Sequence, residues 1–255
     1  MAFLTEAVER VRRELDRNPL PEGTLLLRTQ SLPPPVDFAG ALRRPGIGVI
    51  AEVKRASPSA GPIADPDPGA QAERYEAGGA TAVSVLTEAR HFRGTIADLR
   101  LVRAHTALPV LRKDFIVHPS QVLEARANGA DAVLLIVAAL TDAEIRDLRE
   151  TAEDLGMAAL VEVHSAEEAR RAVDVGAEIV GVNSRDLETL EVDLPAAAEV
   201  LAGEPGDRVR VLESGVATRA DVRRAIAAGA DAVLVGEALM RAGDPSAAIR
   251  KLMLT

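Results

Sequence analysis

The sequence contains no cysteine and no tryptophan, and only 2% of its 255 residues are aromatic. The absence of cysteine excludes disulfide bonds and metal sites built on thiolates. With so few aromatic rings, a core must consist mainly of valine, leucine, isoleucine and alanine. Side chains of this kind suit the layered interior of a parallel barrel, a domain that usually has about 250 residues.

Long apolar runs and an excess of positive charge are also missing. No run approaches the roughly 18 residues that a membrane-spanning helix needs. The first segment, MAFLTEAVERVRREL, is amphipathic and lacks the apolar centre of a signal peptide. The formal net charge is −9, and an acidic surface repels the phosphates of nucleic acids. We expect a cytoplasmic monomer whose partner is a small molecule rather than a nucleic acid or a membrane.

Lysine is scarce. Of the 30 basic residues only Lys54, Lys113 and Lys251 are lysines, and the other 27 are arginines. Arginine stays protonated, whereas lysine can give up a proton or form a Schiff base. The first two lysines are therefore candidates for chemical roles, and the alternative is that three lysines survived a compositional bias by chance.

A short pattern recurs as AGGATAV at 77–83, ANGADAV at 127–133, DVGAEIV at 174–180 and AAGADAV at 227–233. In each copy a glycine follows a helical stretch and precedes an apolar run. Glycine just past a helix permits the left-handed residue that ends it. The apolar run is typical of a strand buried on both faces. The spacing suits two strand–helix units per repeat.

The repeat predicts strands that alternate with helices. Eight strands are predicted, at 48–53, 81–86, 109–112, 131–137, 158–163, 178–182, 209–213 and 231–235. Helices are predicted at 119–128, 141–155, 165–175 and 218–229, with start signals at Thr141, Ser165 and Thr218. Strict alternation favours a parallel sheet with helices outside it, and eight units favour a closed α/β barrel, the (β/α)8 or TIM barrel. A doubly wound open sheet is the alternative, which the lack of a GxGxxG motif after the first strand weakens.

The chain ahead of the first strand predicts an N-terminal helical extension. Residues 1–47 contain a predicted helix at about 3–17 and then the proline-rich stretch LPPPVDFAGALRRPG. We interpret this extension as packed on the barrel, residues 48–255, within a single catalytic domain. A mobile lid is the alternative.

Polar residues end the predicted strands or follow them directly, where the active site of such a barrel lies. They include Glu52, Lys54, Lys113, Glu162, Asn183, Glu213 and Ser214. Charges this close together shift one another's pKa values and supply both an acid and a base. Because Glu52 and Lys54 share one parity on the first strand, both should face the barrel interior. For any single charge the alternative is a structural ion pair.

The loops after the seventh and eighth strands, ESGVATRAD and VGEALM, favour a phosphate site. Barrels often bind phosphate through backbone amides of these loops. Gly215 and Gly236 permit close approach of the backbone, Glu237 follows at a helix start, and Ser57 adds a hydroxyl from the first loop. The alternative for each glycine alone is a simple turn.

The aromatic and histidine residues give weaker indications of function than the charged residues and the glycines. Phe92 and Phe115 fall on the same face and offer contacts to an aromatic ring of a substrate, with loop packing as the alternative. The four histidines show no paired spacing of metal ligands, so no metal site is predicted. His118 and His164, near strand ends, are interpreted as structural or solvent-facing.

Taken together, these residues resemble the indole-3-glycerol-phosphate synthase family over about residues 40–250. The motifs include VIAEVKRASPSAG (49–61), LPVLRKDFIVHPSQ (108–121), GVNSRDLETLEVD (181–193) and DAVLVGEALM (231–240). The resemblance implies a carbon–carbon lyase of tryptophan biosynthesis that needs no cofactor. Its substrate would be 1-(o-carboxyphenylamino)-1-deoxyribulose 5-phosphate, converted to indole-3-glycerol phosphate by ring closure, decarboxylation and dehydration.

The resemblance also implies roles for the charged residues. Lys113 looks like the general acid that activates the substrate carbonyl for ring closure. Lys54 resembles the residue that holds the substrate carboxylate and assists dehydration. Glu162 looks like an acid/base or a stabiliser of positive charge on the anilino nitrogen. Glu52 is similar to a second acid/base coupled to Lys54, and Glu213 looks like part of the polar network below.

The remaining roles concern binding. Asn183 and Ser214 resemble substrate-positioning residues, and Arg185 resembles a loop-ordering or substrate-side residue. The residues that match positions around the anthranilate ring are Phe92 and Phe115, and those that match phosphate-binding elements are Ser57, Gly215, Gly236 and Glu237. Ala60 departs from the pattern, because many members have lysine there, so a phosphate-side charge is missing from this loop.

Two alternatives to this function remain open at the level of sequence. One is an aldolase-type barrel in which Lys113 or Lys54 forms a Schiff base. The other is a catalytically idle barrel that binds a phosphate ligand, which the buried charges argue against because they cost stability.

Overall fold

The structure is a computed structural model that describes residues 3–253. Residues 1–2 and 254–255, the outermost parts of the predicted extension and barrel, lie outside the described residues. Eight parallel strands close into a barrel in which each strand pairs with its neighbours in the chain and the last pairs with the first. The strands are β1 (Gly48–Val53), β2 (Ala82–Leu86), β3 (Val110–Lys113), β4 (Ala132–Ile136), β5 (Ala158–Val163), β6 (Ile179–Asn183), β7 (Val209–Glu213) and β8 (Ala232–Val235). The prediction of a (β/α)8 barrel is confirmed.

The predicted strand bounds are correct for β1, β5 and β7 and shifted by about one residue for the others. At the end of β4 the apolar run continues past the hydrogen-bonded ladder, so Val137 is buried but begins a 3-10 turn (Val137–Ala139) instead of ending the strand. Each strand is buried along its length, because the barrel interior lies on one face and the helices lie on the other.

Helices occupy the outside of the barrel and the N-terminal extension. They are α1 (Phe3–Arg17), α2 (Glu22–Gln30), α3 (Phe38–Leu42), α4 (Pro68–Gly78), α5 (Ala89–Phe92), α6 (Ile96–His105), α7 (Pro119–Ala127), α8 (Asp142–Asp154), α9 (Ala166–Asp174), α10 (Leu194–Ala202), α11 (Arg219–Ala227), α12 (Glu237–Met240) and α13 (Pro245–Met253). The predicted start signals are confirmed, because Thr141, Ser165 and Thr218 each accept the backbone N–H three residues later.

The glycines of the repeat end helices as predicted. Gly79, Gly129, Gly176 and Gly229 have φ angles of 89°, 89°, 79° and 85°. In this left-handed region an L side chain is strained, so glycine lets the chain turn from helix to strand at the bottom of the barrel.

The extension lies against the barrel through polar and apolar contacts. Asp131, at the start of β4, accepts the backbone N–H of Val36 at 2.7 Å, and Arg126 of α7 donates to the carbonyl of Pro33. On α1, Arg10 Nη2 lies 2.5 Å from Oε1 of Glu88. Helices α2 and α3 were not predicted, since α2 follows a proline and α3 lies within the proline-rich stretch. Among the described residues, no helix combines the length and hydropathy of a membrane span.

Candidate active site

The C-terminal ends of the strands open into one cavity of about 350 Å³. It is lined by all of the predicted site residues, namely Glu52, Lys54, Ser57, Phe92, Lys113, Phe115, Glu162, Asn183, Arg185, Glu213, Ser214, Gly215, Gly236 and Glu237. The barrel topology explains this convergence, because parallel strands deliver their last residues to the same end.

Lys113 lies at the centre of the charged half of the cavity. Its Nζ is 2.9 Å from Oε2 of Glu162 and 3.1 Å from Oε2 of Glu213. The three side chains come from β3, β5 and β7, and alternate strands of such a barrel contribute side chains to the same layer. Burial alone would lower the pKa of Lys113, but the neighbouring carboxylates, Glu162 and Glu213 foremost, outweigh burial and raise it above its usual value.

The two carboxyl partners of Lys113 differ in their proton affinity. Burial alone would raise the pKa of Glu162, but the charges of Lys113 and His164 and the hydrogen bond from Asn183 lower it overall. For Glu213, burial and the charge of Glu162 outweigh Lys113 and raise the pKa to about 7. The site thus holds a cation, a stable carboxylate and a carboxyl group that exchanges a proton near neutral pH.

A second ion pair lies beside the first. Lys54 Nζ is 2.7 Å from Oε1 of Glu52, and Glu52 is only 2% exposed. Both side chains line the cavity, as the alternation along β1 predicts. Gly236, after β8, faces this pair so closely that a Cβ atom there would collide with Oε1 of Glu52.

Tight turns form the side of the cavity where a phosphate is predicted. Ser214 and Gly215 have φ angles of 64° and 72°, so the chain reverses sharply after β7. The Oγ atom of Ser57 accepts the backbone N–H of Ala60 at 3.1 Å. These turns leave backbone groups and small side chains, rather than bulky ones, facing the cavity.

Apolar side chains form a further part of the cavity wall. Phe92 and Phe115 line it together with Phe3 of α1, whose ring centroid lies 6.0 Å from that of Phe115 in an edge-on arrangement. Leu134 and Ile136, which share one parity near the end of β4, complete it. These two residues were not among those predicted from the sequence, although the parity of β4 indicates their direction.

Comparison with known proteins gives the family. Residues 4–252 match the sequence profile of indole-3-glycerol phosphate synthase. The chain belongs to this family. It is similar to the indole-3-glycerol phosphate synthase of Mycobacterium avium (strain 104), with 56% identity over 222 residues, 87% of this chain and 82% of the relative. It is also similar to that of Mycolicibacterium smegmatis (strain ATCC 700084 / mc(2)155), with 55% identity over 227 residues, 89% and 84% of the two chains.

A solved structure supports the fold alone. The chain is similar to a 3-hexulose-6-phosphate synthase, with a TM-score of 0.64 and 18% identity over 81% of this chain and 98% of that chain. At this identity the likeness extends to the barrel and not to the chemistry.

One cation of the cavity was not predicted from the synthase motifs. Arg241 lines the cavity just after α12, and its Nε lies 2.9 Å from Oε1 of Glu237. It therefore places a positive charge near the predicted phosphate loops, where Ala60 offers none. The sequence signal is the four-residue spacing of these two side chains, which brings them to the same side of a helix.

Arg185 orders the loop that follows β6. Its backbone N–H donates to Oδ1 of Asn183 at 3.0 Å, and its Nη1 donates to the carbonyl of Leu190 at 2.8 Å. The loop returns to form an isolated antiparallel bridge between Arg185 and Val192. These contacts favour the loop-ordering role among the two that the synthase family implies for Arg185.

The two strand-end histidines have different surroundings. His118 accepts the backbone N–H of Ser120 and caps α7, which is a structural role. The side chain of His164 is only 15% exposed and lies 3.4 Å from Oε1 of Glu162, so it is not solvent-facing. Among residues 3–253, no three side chains of the metal-ligating types are placed to share a metal ion.

Proposed function

We propose that the cavity converts 1-(o-carboxyphenylamino)-1-deoxyribulose 5-phosphate to indole-3-glycerol phosphate, CO₂ and water, with its residues in the roles that follow. The observation that carries this assignment is a largely buried lysine held between two carboxyl groups, in a cavity whose lining also includes apolar side chains and tight phosphate-type turns. A substrate with an anthranilate ring, a carbonyl and a phosphate has a matching contact for each part.

Lys113 is the general acid of ring closure. In this step a bond forms between the ring carbon that carries the carboxylate and the carbonyl carbon, and the carbonyl oxygen takes a proton from Nζ of Lys113. The raised pKa keeps Lys113 charged at neutral pH, so a proton is available. Glu213, 3.1 Å away and with a pKa of about 7, can return the proton to the lysine.

Lys54 holds the substrate carboxylate that leaves as CO₂. Its ammonium group already lies in a carboxylate contact with Glu52, and a second carboxylate satisfies its remaining donors. After decarboxylation the hydroxyl group made in ring closure takes a proton and leaves as water, while the adjacent carbon of the new ring loses a proton to complete the indole. Lys54 assists this dehydration, and Glu52 is the acid/base coupled to it.

Glu162 stabilises the positive charge that develops on the anilino nitrogen. It is 1% exposed, and its lowered pKa keeps it ionised in a site from which water is largely excluded. A fixed negative charge in such a place acts more strongly than in water. Asn183, which donates to Oε1 of Glu162 at 3.1 Å, positions it, and Ser214 positions the substrate.

The phosphate and the ring have separate sets of contacts in the cavity. Backbone N–H groups around Gly215, Gly236 and Glu237 bind the phosphate with the hydroxyl of Ser57, and Arg241 supplies a charge on this side. Phe92 and Phe115 pack around the anthranilate ring with Phe3.

The pairing of Lys113 argues against a Schiff-base mechanism. A lysine that forms a Schiff base must lose its proton, and enzymes achieve this by lowering its pKa. Here the pKa is raised by two neighbouring carboxyl groups. Borohydride added during turnover should therefore trap no covalent adduct with the substrate.

The direct test is to mix the purified protein with the substrate, without added metal or cofactor, and to follow indole fluorescence. We expect a steady rise that disappears in Lys113→Ala. No rise, with the protein folded and the substrate shown to bind, would instead favour a barrel that binds without catalysis.

We further propose that the protein works as a monomer in the cytoplasm, as one catalytic domain formed by the extension and the barrel. The contacts of Arg10 with Glu88 and of Val36 with Asp131 support the single domain. The net charge of −9 supports a small-molecule partner rather than a nucleic acid. Light scattering at micromolar concentration tests the monomer, which a mass of twice 26.9 kDa would contradict.

A further inference from the structure

His164 lies between the active site and the outside of the barrel, in a position that the mechanism above leaves without a role. It follows Glu162 by two residues, so both side chains lie on the same side of the chain at the end of β5. Its Nε2 is 3.4 Å from Oε1 of Glu162. This nitrogen is buried and accepts or donates no hydrogen bond within the described part of the chain, and the oxygen of the proposed catalytic carboxylate lies beside it.

Glu168 holds the other side of the imidazole. Its Oε2 lies 3.3 Å from Nδ1 of His164 and accepts the backbone N–H of the same residue at 2.7 Å. Glu168 belongs to the first turn of α9, where Ser165 caps the helix, so its position is set by secondary structure. The ring is thus held between two carboxylates, one at the active site and one on a helix.

We propose that His164 is a positioning residue for Glu162: its imidazolium, anchored by Glu168, keeps Glu162 ionised and directed at Lys113. This rests on the function proposed above. His164 does not line the cavity, so it acts through Glu162 and not on the substrate. With His164 charged, Glu162 has a cation near each oxygen, Lys113 at Oε2 and His164 at Oε1.

The charges around the ring favour the imidazolium. Burial opposes it, but Glu168 on α9, Glu162 on β5 and Glu213 on β7 together raise the pKa of His164. The pKa of Asp186, in the loop after β6, is lowered mainly by the backbone N–H groups of Thr189 and Glu188, and His164 adds a smaller effect. Lys113 is the cation near His164 that opposes a positive charge on the ring, but it contacts Glu162 and Glu213 rather than the ring.

The test compares three forms of the full chain, the parent, His164→Asn and His164→Lys, by kcat and KM across pH. We expect the parent to lose turnover as the imidazolium loses its proton at rising pH. His164→Asn should lack that ionisation and turn over about tenfold more slowly at neutral pH, with KM unchanged. His164→Lys, whose cation survives to higher pH, should restore kcat at neutral pH and lack the part of the alkaline decline that belongs to His164.

His105 offers a matched control. It also pairs with a glutamate, at 2.7 Å from Glu73, but on the outside of the barrel. His105→Asn should therefore keep the pH profile of the parent. The ionisation of Glu213 should persist in every one of these forms, which separates its effect from that of His164.

A direct titration of His164 tests the proposal independently of the kinetic measurements, even if one variant folds poorly. The chain has only four histidines, so His164 can be assigned in the imidazole NMR spectrum by its loss in His164→Asn. Glu168→Gln should lower the pKa of His164 and therefore move the alkaline decline of kcat to lower pH. If the pKa of His164 is the same in Glu168→Gln as in the parent, Glu168 does not anchor the imidazolium and the proposal is wrong.

The outcomes distinguish this inference from the proposed function. If the parent forms no indole product, the proposed function fails. If the parent turns over and Glu162→Gln is slow, but His164→Asn keeps the parent's kcat and pH profile, the function stands and the role of His164 is wrong. A rise in KM with kcat unchanged would also overturn it, because that pattern means lost binding.

Discussion

The Nζ atom of Lys54, the residue just after β1, lies 2.7 Å from Oε1 of Glu52, the second-last residue of that strand. The pair faces Gly236, where a Cβ atom would meet Oε1 of Glu52 and come within 3.0 Å of Nζ of Lys54. The chain just after β8 thus has no room for a side chain at this point, because the ion pair at the end of β1 occupies the space.

Substituting Gly236→Ala should therefore disturb substrate binding without unfolding the protein. The φ angle of Gly236 is −115°, outside the left-handed region that favours glycine, so we expect the effect to come mainly from contact with the ion pair. We expect KM to rise at least about tenfold, since small displacements of binding groups have effects of this size. Gly206→Ala, where nothing lies within 4 Å, is the control and should behave like the parent.

Lys113→Arg should lower kcat by at least about a hundredfold, because arginine keeps the charge but does not transfer its proton. The retained charge still compensates Glu162 and Glu213, so the protein should stay folded, which a thermal melt checks. Lys251→Arg makes the same substitution on the exposed face of α13 and should change nothing. Near-normal turnover in Lys113→Arg would rule out the general-acid role.

Stability should depend on pH through Glu213. Its pKa is raised from an ordinary value of 4.5 to about 7 by burial and by Glu162, so the folded state holds this proton more tightly than the unfolded state. The stabilisation is complete below about pH 4.5 and is lost as the pH rises through about 7, by at most about 3 kcal/mol. Urea unfolding between pH 5 and 8 measures this loss.

Glu213→Gln should flatten that pH dependence, because glutamine has no proton to lose. The control is Glu9→Gln on α1, at a half-exposed residue that pairs with Arg13. This variant should keep the pH dependence of stability of the parent. A Glu213→Gln variant with the full slope of the parent would assign the dependence to another group.

Phe3→Ala should weaken binding of the anthranilate ring through the extension. Phe3 lines the cavity and contacts Phe115 edge-on, and an aromatic contact of this kind corresponds to about a fivefold change in affinity. We expect KM to rise by about that factor with kcat little changed. Leu27→Ala, an apolar residue of the same extension that is 71% exposed, should have no effect, and an equal effect of both would mean a general loosening of the extension.

Much of the barrel could be predicted from local patterns. Most strands are buried apolar runs, and each repeat glycine ends a helix ahead of β2, β4, β6 or β8. All eight strands were therefore placed to within about one residue, and β1, β5 and β7 with the correct bounds. The helices α2 and α3 were missed because their surroundings are proline-rich and their stability comes from packing. Thr29, for instance, is buried against the barrel although the helix around it has no side-chain cap.

The residues of the site were predictable because the barrel topology alone brings strand ends together. Which of these residues contact one another was not predictable. Lys113 is 49 residues from Glu162 and 100 from Glu213, and no spacing in the chain indicates which carboxylate it contacts. The pKa values follow from those contacts and from burial, so they too required the closed barrel. His164 is the clearest case of a contact that the sequence does not predict, since its position in the chain allowed either solvent or Glu162 as its neighbour.

The sequence by itself determined the alternation of strands and helices, the glycines at helix ends and the set of polar residues at the mouth, since each depends on neighbours in the chain. Only the tertiary structure decided that Lys113 sits between two carboxyl groups of unequal proton affinity, that Phe3 enters the cavity and that Gly236 makes room for an ion pair. These relationships depend on distances across the closed barrel, which are set by packing between residues far apart in the chain.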